Sequence, residues 1–376
     1  MAAPTIPNLA LRSRGRRGGL SSLRGPSGRR SAEENDRIIR QTDQDASVSR
    51  LSAVEAGYLN DPFAKLFVAP AQKQRRLPII NRGTYVRTQM IDDLVDKFLA
   101  IHSDRPKQII SLGAGSDTRF FRLVSHHGFT EETKLLYHEI DFAENLTLKL
   151  NELSPYGQMT QHLDGLSVAD RELHPGSPPD AESVAHVVKS GYYHSHAIDL
   201  RTLQPSAEKP PSLRSIDPLL PTVIISECCL CYLQPTAADR AALYFTQELL
   251  DPTTPCGMIM YEPIKPDDAF GQVMVDNLAA RGIVLQTLKK YGSIDAQRHR
   301  MQAYGLHEAE GYDVNHLWRK GVSQTEKERI ASLEMVDEVE EWELLASHYC
   351  VVWGWRAGEA SLDRPPNAWN SWKDLY

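Results

Sequence analysis

Two glycines and a series of acids give this sequence its chemistry. Gly113 and Gly115 follow a short apolar run at 107–112, and Asp141, Asp199 and Glu227 each stand at the end of a later strand-like run. Glycine lets the backbone approach a ligand closely, and a carboxylate at the end of the next strand can accept both hydrogens of a ribose diol. In an open α/β sheet such positions face one crevice at the carboxyl ends of the strands. Taken singly, a GxG is a tight turn and an acid after a strand is a helix cap. The ordered series of them favours a nucleoside site. A dinucleotide fits poorly, because the third glycine of its fingerprint falls on Thr118 and Asp117 would repel a pyrophosphate. S-adenosylmethionine carries a ribose, an adenine and a zwitterionic amino-acid end but no phosphate, and it suits an acid-lined crevice better.

The elements that must hold these residues alternate. Strands are expected at 107–112, at 135–141, at a third run ending in 197–200, at 222–226 before Glu227, and at 257–261 before Glu262. Helical stretches separate them, and a late apolar run at 348–355 adds one more strand. Such alternation predicts an α/β fold with a mostly parallel sheet and helices on both faces. Residues 35–98 read as mainly helical, with a break at Asp61-Pro62, and another helix is expected near 327–345. The stretches 165–191 and 202–221, rich in proline and polar residues, read as surface insertions that carry no chemistry.

Composition sets the outer limits. The 376 residues are 41% hydrophobic and 24% charged, the balance of an ordinary globular protein, and no apolar run approaches the ~18 residues of a membrane helix. Residues 1–30 hold seven arginines and no acid, so removing them from the net charge of −7 leaves −14 on the rest. An acidic body gives no reason to expect nucleic acid binding. Residues 1–34 are expected to form a disordered arm rich in Arg, Gly and Ser, since they hold too few apolar groups to offset the entropy of ordering. A mitochondrial transit peptide shares that composition, but Pro4, Pro7 and the glycines at 15–19 work against its amphipathic helix. Five cysteines, three of them crowded at Cys228, Cys229 and Cys231, fit a reduced cytoplasmic or nuclear compartment. No second CxxC or matched histidine pair completes a metal site, so no metal is expected and His194 and His196 read as surface or packing residues. The tryptophans, Trp353, Trp355, Trp369 and Trp372 among them, read as packing for the core and tail.

Five motifs together carry a resemblance. Residues 81–88 (Asn-Arg-Gly-Thr-Tyr-Val-Arg-Thr), 111–119 (Ser-Leu-Gly-Ala-Gly-Ser-Asp-Thr-Arg), 137–142 (Tyr-His-Glu-Ile-Asp-Phe), 226–233 (Ser-Glu-Cys-Cys-Leu-Cys-Tyr-Leu) and 270–272 (Phe-Gly-Gln) follow the order and approximate spacing of the leucine carboxyl methyltransferases. The sequence resembles the fungal type over about residues 45–355. The resemblance implies a class I S-adenosylmethionine-dependent methyltransferase, Rossmann-like, with an N-terminal helical cap and insertions. It would form one domain over 35–376: the cap at 35–105, the cofactor-binding core at 106–265, and substrate and closing elements at 266–376.

The resemblance also implies an activity, methylation of the C-terminal leucine carboxylate of the protein phosphatase 2A catalytic subunit. Carried over by motif, Arg87 and Arg50 would hold the carboxylate end of the cofactor, Gly113 its amino-acid portion, Asp141 the ribose, Asp199 with Leu200 the adenine, and Glu227 the methionyl amino group. Arg50 stands where the family often has lysine, a point charge in place of a planar fork. A C-terminal carboxyl has a reference pKa of about 3.3 to 3.7, so the nucleophile is already an anion at neutral pH and needs no base. Arg87 is then expected to orient that anion, and Tyr232 to donate a hydrogen bond from the pocket wall. The enzyme is expected to act as a monomer. Its rivals are a related tRNA-base methyltransferase that carries a repeat domain, of which no repeat is seen here, a phosphatase-binding factor that has lost catalysis, and a nicotinamide oxidoreductase, disfavoured by Thr118.

Overall fold

The structure is a computed structural model that describes residues 31–101, 103–127, 129–130, 132–153, 167–168, 184–188, 191–203, 213, 215–337, 339–358 and 369–373. The expected arm at 1–30 lies outside the described residues, as do the larger part of 165–191 and residues 204–212. The first helix, α1 (Ala32–Glu55), begins earlier than the sequence reading placed it, so residues 32–34 belong to the cap. Ser31 explains the start: its Oγ accepts the Glu34 N–H at 3.1 Å, and Glu33 and Glu34 lie against the positive end of the helix. Helix α2 (Pro78–Ile101) opens on a proline, whose missing N–H has no partner to lose there.

A nine-stranded sheet forms the centre, in the order β3-β4-β5-β2-β1-β6-β7-β9-β8. Its strands are β1 (Lys107–Leu112), β2 (Leu135–Asp141), β3 (Ser167–Val168), β4 (Val184–Val188), β5 (Gly191–Ala197), β6 (Thr222–Glu227), β7 (Cys256–Pro263), β8 (Glu308–Asp313) and β9 (Tyr349–Arg356). The five from β5 to β7 run parallel, and β9 enters antiparallel between β7 and β8. Strands β1 and β7 are buried along their whole length, as expected of strands covered on both faces. Burying each large apolar side chain there stabilises the fold by roughly 1.5 to 3 kcal/mol.

Four expectations need correction. The third strand stops at Ala197, and Asp199 and Leu200 lie beyond it, where Asp199 caps a short turn, Leu200–Thr202. The stretch 165–191 is not only an insertion, because β3 and β4 extend the sheet antiparallel beyond β5. The helix near 327–345 is two, α8 (Gln324–Leu333) and α9 (Val339–Ala346), broken where Glu334 turns extended. The sheet also gains an edge strand that was not expected, β8, which pairs with β9, the late strand expected at 348–355.

The remaining helices that matter for the site are α3 (Arg119–His126), α4 (Ala143–Leu153), α5 (Pro235–Leu243), α6 (Ala269–Ala280) and α7 (Ile294–Ala303). Helices α1 and α2 lie side by side over the carboxyl ends of the strands, tied by Ser52 Oγ donating to Asn81 Oδ1 at 2.9 Å, and Asn81 Nδ2 donates at 2.8 Å to Glu334 at the end of α8. Arg82 stacks its guanidinium over Trp318 and Trp342, 4.8 and 5.3 Å from the ring centres. The Asn81-Arg82 half of the first motif thus joins the cap to the body. The aromatic reading of the late tryptophans also holds: Trp353, Trp355, Trp369 and Trp372 are buried, with Trp372 Nε1 donating to Leu94 O at 3.1 Å.

Candidate active site

Strand order reverses at β1, which has β2 on one side and β6 on the other. The chain leaves β1 there through Gly113 and Gly115, with φ of +63° and +47°, a region that glycine enters freely. A Cβ on Gly115 would lie 2.3 Å from Asp43 Oδ1. Asp43, on α1, accepts both the N–H and the hydroxyl of Ser116 at 2.8 Å, so the cap helix rests directly on the glycine turn. Sequence reading missed Asp43, which is 73 residues from its partner and has no local signal.

Asp141 faces the same turn. Its Oδ2 accepts the Gly115 N–H at 2.7 Å, and its Oδ1 accepts from Phe142 N–H at 2.7 Å and Asn145 Nδ2 at 3.0 Å. Those bonds fix the carboxylate's orientation at the mouth of the glycine turn. A cleft opens beside it, lined by Gly113, Asp141, Asp199, Leu200 and Tyr232, with Asp36 and Ile39 of α1 on the facing wall. Arg201 clasps that wall, donating to both oxygens of Asp36 at 2.7 Å and to Asp199 at 2.6 Å. Tyr232 sits in a short turn, Leu230–Tyr232, after β6, and its buried hydroxyl has no hydrogen-bond partner among the described residues.

Arg87 and Glu227 meet beneath the turn. Arg87 Nε and Nη2 approach Glu227 Oε2 at 2.7 and 2.6 Å, while the other oxygen, Oε1, accepts from Arg119 Nη2 at 2.7 Å. Arg119 is fully buried at the start of α3 and also holds Asp117 at 2.6 Å and Asp92 at 3.1 Å. Arg122 continues the chain to Asp92 and Asp61, and Arg50 closes it on Asp61 at 3.0 Å. Four arginines and four acids therefore form one neutral lattice under the site. Burial pushes the Asp117 carboxyl up, but Arg119 and Arg50 outweigh it and hold it well below the usual range. The same contest, with Arg87 and Arg119 prevailing, holds Glu227 below its ordinary value.

The site therefore gathers most of its expected members and reassigns one. Gly113, Asp141, Asp199, Leu200 and Tyr232 line one cleft, with Arg87 and Glu227 paired to each other next to the glycine turn. Arg50 is not on the cleft wall, and its guanidinium is engaged with Asp61 inside the lattice. The cysteines at 228, 229 and 231 are free and buried, with burial pushing the Cys229 thiol up to about 12. His194 and His196 stack with His138 inside the sheet, at 4.8 and 5.2 Å between ring centres, so packing is the right reading and surface is not. Among the described residues no group of His, Cys, Asp and Glu is placed to hold a metal ion, and no helix is long and apolar enough to cross a membrane.

These residues fit an S-adenosyl cofactor. The glycine turn admits an amino-acid end closely, the Arg87–Glu227 pair would meet its two charges, and Asp141 would meet the ribose. Fold and site together define a class I S-adenosylmethionine-dependent methyltransferase. The model of the family "Leucine carboxyl methyltransferase" matches residues 38–244, more than half of the chain. Leucine carboxyl methyltransferase 1 of Aspergillus fumigatus is 48% identical over 405 aligned positions, covering 100% of this chain and 98% of the relative. The protein of the same name from Emericella nidulans is 46% identical, covering 100% and 98%. An Arabidopsis thaliana homolog is 33% identical, covering 86% and 90%. The chain belongs to the leucine carboxyl methyltransferase family and is an S-adenosylmethionine-dependent carboxyl methyltransferase.

Proposed function

We propose that this enzyme methylates the α-carboxylate of the C-terminal leucine of the protein phosphatase 2A catalytic subunit, giving a methyl ester and S-adenosylhomocysteine. When bound, S-adenosylmethionine supplies an electrophilic methyl carbon and a sulfur that leaves as a neutral thioether. An acceptor carboxylate oxygen forms the new bond to that carbon as the carbon–sulfur bond breaks, and no proton moves. The chain's own residues position and exclude. Glu227 and Arg87 hold the two charges of the amino-acid end, Asp141 accepts from the ribose, and Asp199 with Leu200 borders the adenine. Asp36 and Ile39 of α1 keep water from the cleft, which strengthens every charge interaction within it. Tyr232 supports the reading: the residue lines the cleft with Gly113 and Asp141, its buried hydroxyl has no hydrogen bond of ordinary length, and that hydroxyl would donate to the acceptor. Arg87, paired with Glu227, orients the same anion. The enzyme acts as a monomer in the cytoplasm and nucleus, a reading in keeping with its five free cysteines.

The test is incubation with methyl-labelled S-adenosylmethionine and the phosphatase catalytic subunit, with and without its terminal leucine. Label is expected on the intact subunit alone. Label on the shortened form, or on neither, rules out the assignment.

A further inference from the structure

The cofactor cleft continues into a second groove that shares Asp36, Ile39, Arg201 and Tyr232 with it and is further lined by Gln234 and Gln286. Gln286 has an unusual hold on the turn that carries Tyr232. Its backbone N–H donates to Cys231 O at 2.7 Å, and its side-chain Nε2 donates to Tyr232 O at 2.6 Å. The loop behind it is fixed in turn, since Lys290 Nζ and the Tyr291 hydroxyl both reach Asp239 of α5 at 2.8 Å. A carbonyl can only accept, so the amide nitrogen must be the atom facing Tyr232 O. Its sister atom, Gln286 Oε1, therefore points away from the turn, as an acceptor held in one orientation on the groove wall.

A small free carboxylate has no use for such an acceptor, whereas the last residue of a polypeptide carries a peptide N–H three bonds from its carboxylate carbon. We propose that Gln286 is a specificity-determining residue that accepts the terminal peptide N–H of the acceptor through Oε1 while Tyr232 meets the carboxylate. The proposal rests on the assignment of a protein C-terminus as the acceptor. It makes the enzyme selective for a carboxylate that belongs to a chain, independently of the side chain that precedes it.

Two acceptors that differ by one atom pair decide it. The phosphatase catalytic subunit is made by ligation with a synthetic C-terminal segment whose last linkage is either the natural amide or an ester, which lacks the N–H. Wild-type enzyme is expected to use the ester form with a KM raised roughly tenfold, the loss of one well-placed hydrogen bond. Gln286→Leu should have a raised KM for the amide form and show no difference between the two forms. Gln286→Glu keeps the acceptor oxygen but loses the donor to Tyr232 O, so it should still distinguish them with a lower kcat. Equal use of both forms by the wild type, or a difference that persists in Gln286→Leu, overturns the assignment of Gln286. Failure of the wild type to methylate the amide form instead overturns the choice of acceptor, and the role of Gln286 falls with it.

Discussion

Two glutamates close neighbouring strands of the same sheet and have opposite fates. Glu227, at the end of β6, is gripped by Arg87 and Arg119 within the lattice, and its carboxyl is held below the ordinary value. Glu262, near the end of β7, is buried more deeply, its cation, Arg300 of α7, stands 3.7 Å away, and its Oε1 has no hydrogen-bond partner among the described residues. Burial there wins and pushes the carboxyl up to about 7 despite Arg300. Burial alone therefore does not decide the charge of a strand-end acid; the number and closeness of its cations do. The site lies where the cations are most numerous.

Breaking the lattice should have the largest effect. Arg119→Met removes the cation shared by Glu227, Asp117 and Asp92, leaves Asp117 without its ion-pair partner, and should destabilise the protein by about 3 to 5 kcal/mol, the usual result of leaving a buried charge unpaired. Chemical denaturation measures it, and a variant as stable as wild type would mean the lattice is not holding these acids. Asp141→Ala keeps the lattice and removes a charged acceptor from the cleft. Cofactor binding should weaken by roughly 1.5 to 3 kcal/mol in calorimetry, while an unchanged affinity in a folded variant takes Asp141 out of the site.

The two glutamates also give opposite pH signatures. The folded state holds a proton on Glu262 from its ordinary value of 4.5 up to about 7, so its contribution to stability falls as pH rises through that window. Glu227 does the reverse, contributing above its ordinary value and losing that contribution as pH falls below it. Glu262→Gln should therefore gain stability relative to wild type between those pH values, with a slope of up to about 1.4 kcal/mol per pH unit. A constant difference across the window would show that Glu262 does not titrate there. The smallest effect belongs to Tyr232→Phe. Its hydroxyl makes no hydrogen bond of ordinary length in the fold, so its loss should cost less than about 1 kcal/mol of stability. The kcat/KM for the acceptor should fall roughly fivefold, and by the same factor at every pH, because no proton is transferred. A loss that high pH restores would show that a proton must leave.

The sequence made the sheet edge readable and left its foundation hidden. Gly113, Asp141 and Glu227 stand next to strands with strong apolar signals, so their places follow from local pattern. Asp199 was readable as an acid of the crevice but not as the cap of a turn beyond the strand, because boundaries depend on which backbone groups find partners. Arg119 ends the 111–119 motif, yet no local pattern names its partners. Its partners Asp92 and Glu227 come from α2 and β6, 27 and 108 residues away, and no periodicity reports such meetings. One signal was present: an arginine opening a helix that continues Phe120, Phe121, Leu123 and Val124 must be buried, and a buried arginine needs acids. Arg50 shows the opposite case, since a basic residue in that region says nothing about which acid it will face, here Asp61.

The clasp between α1 and the cleft is of a different electrical kind from the lattice. Arg201 is 40% exposed and Asp36 16%, while Arg119 is out of contact with water. Salt weakens ion pairs that face water, by a modest amount each, and reaches buried ones far less. Added salt should therefore act on this molecule as a selective reagent. It loosens the helix that covers the cleft while leaving the charged floor of the site intact, so the rate at which small molecules enter and leave becomes adjustable by ionic strength separately from how well the floor holds them.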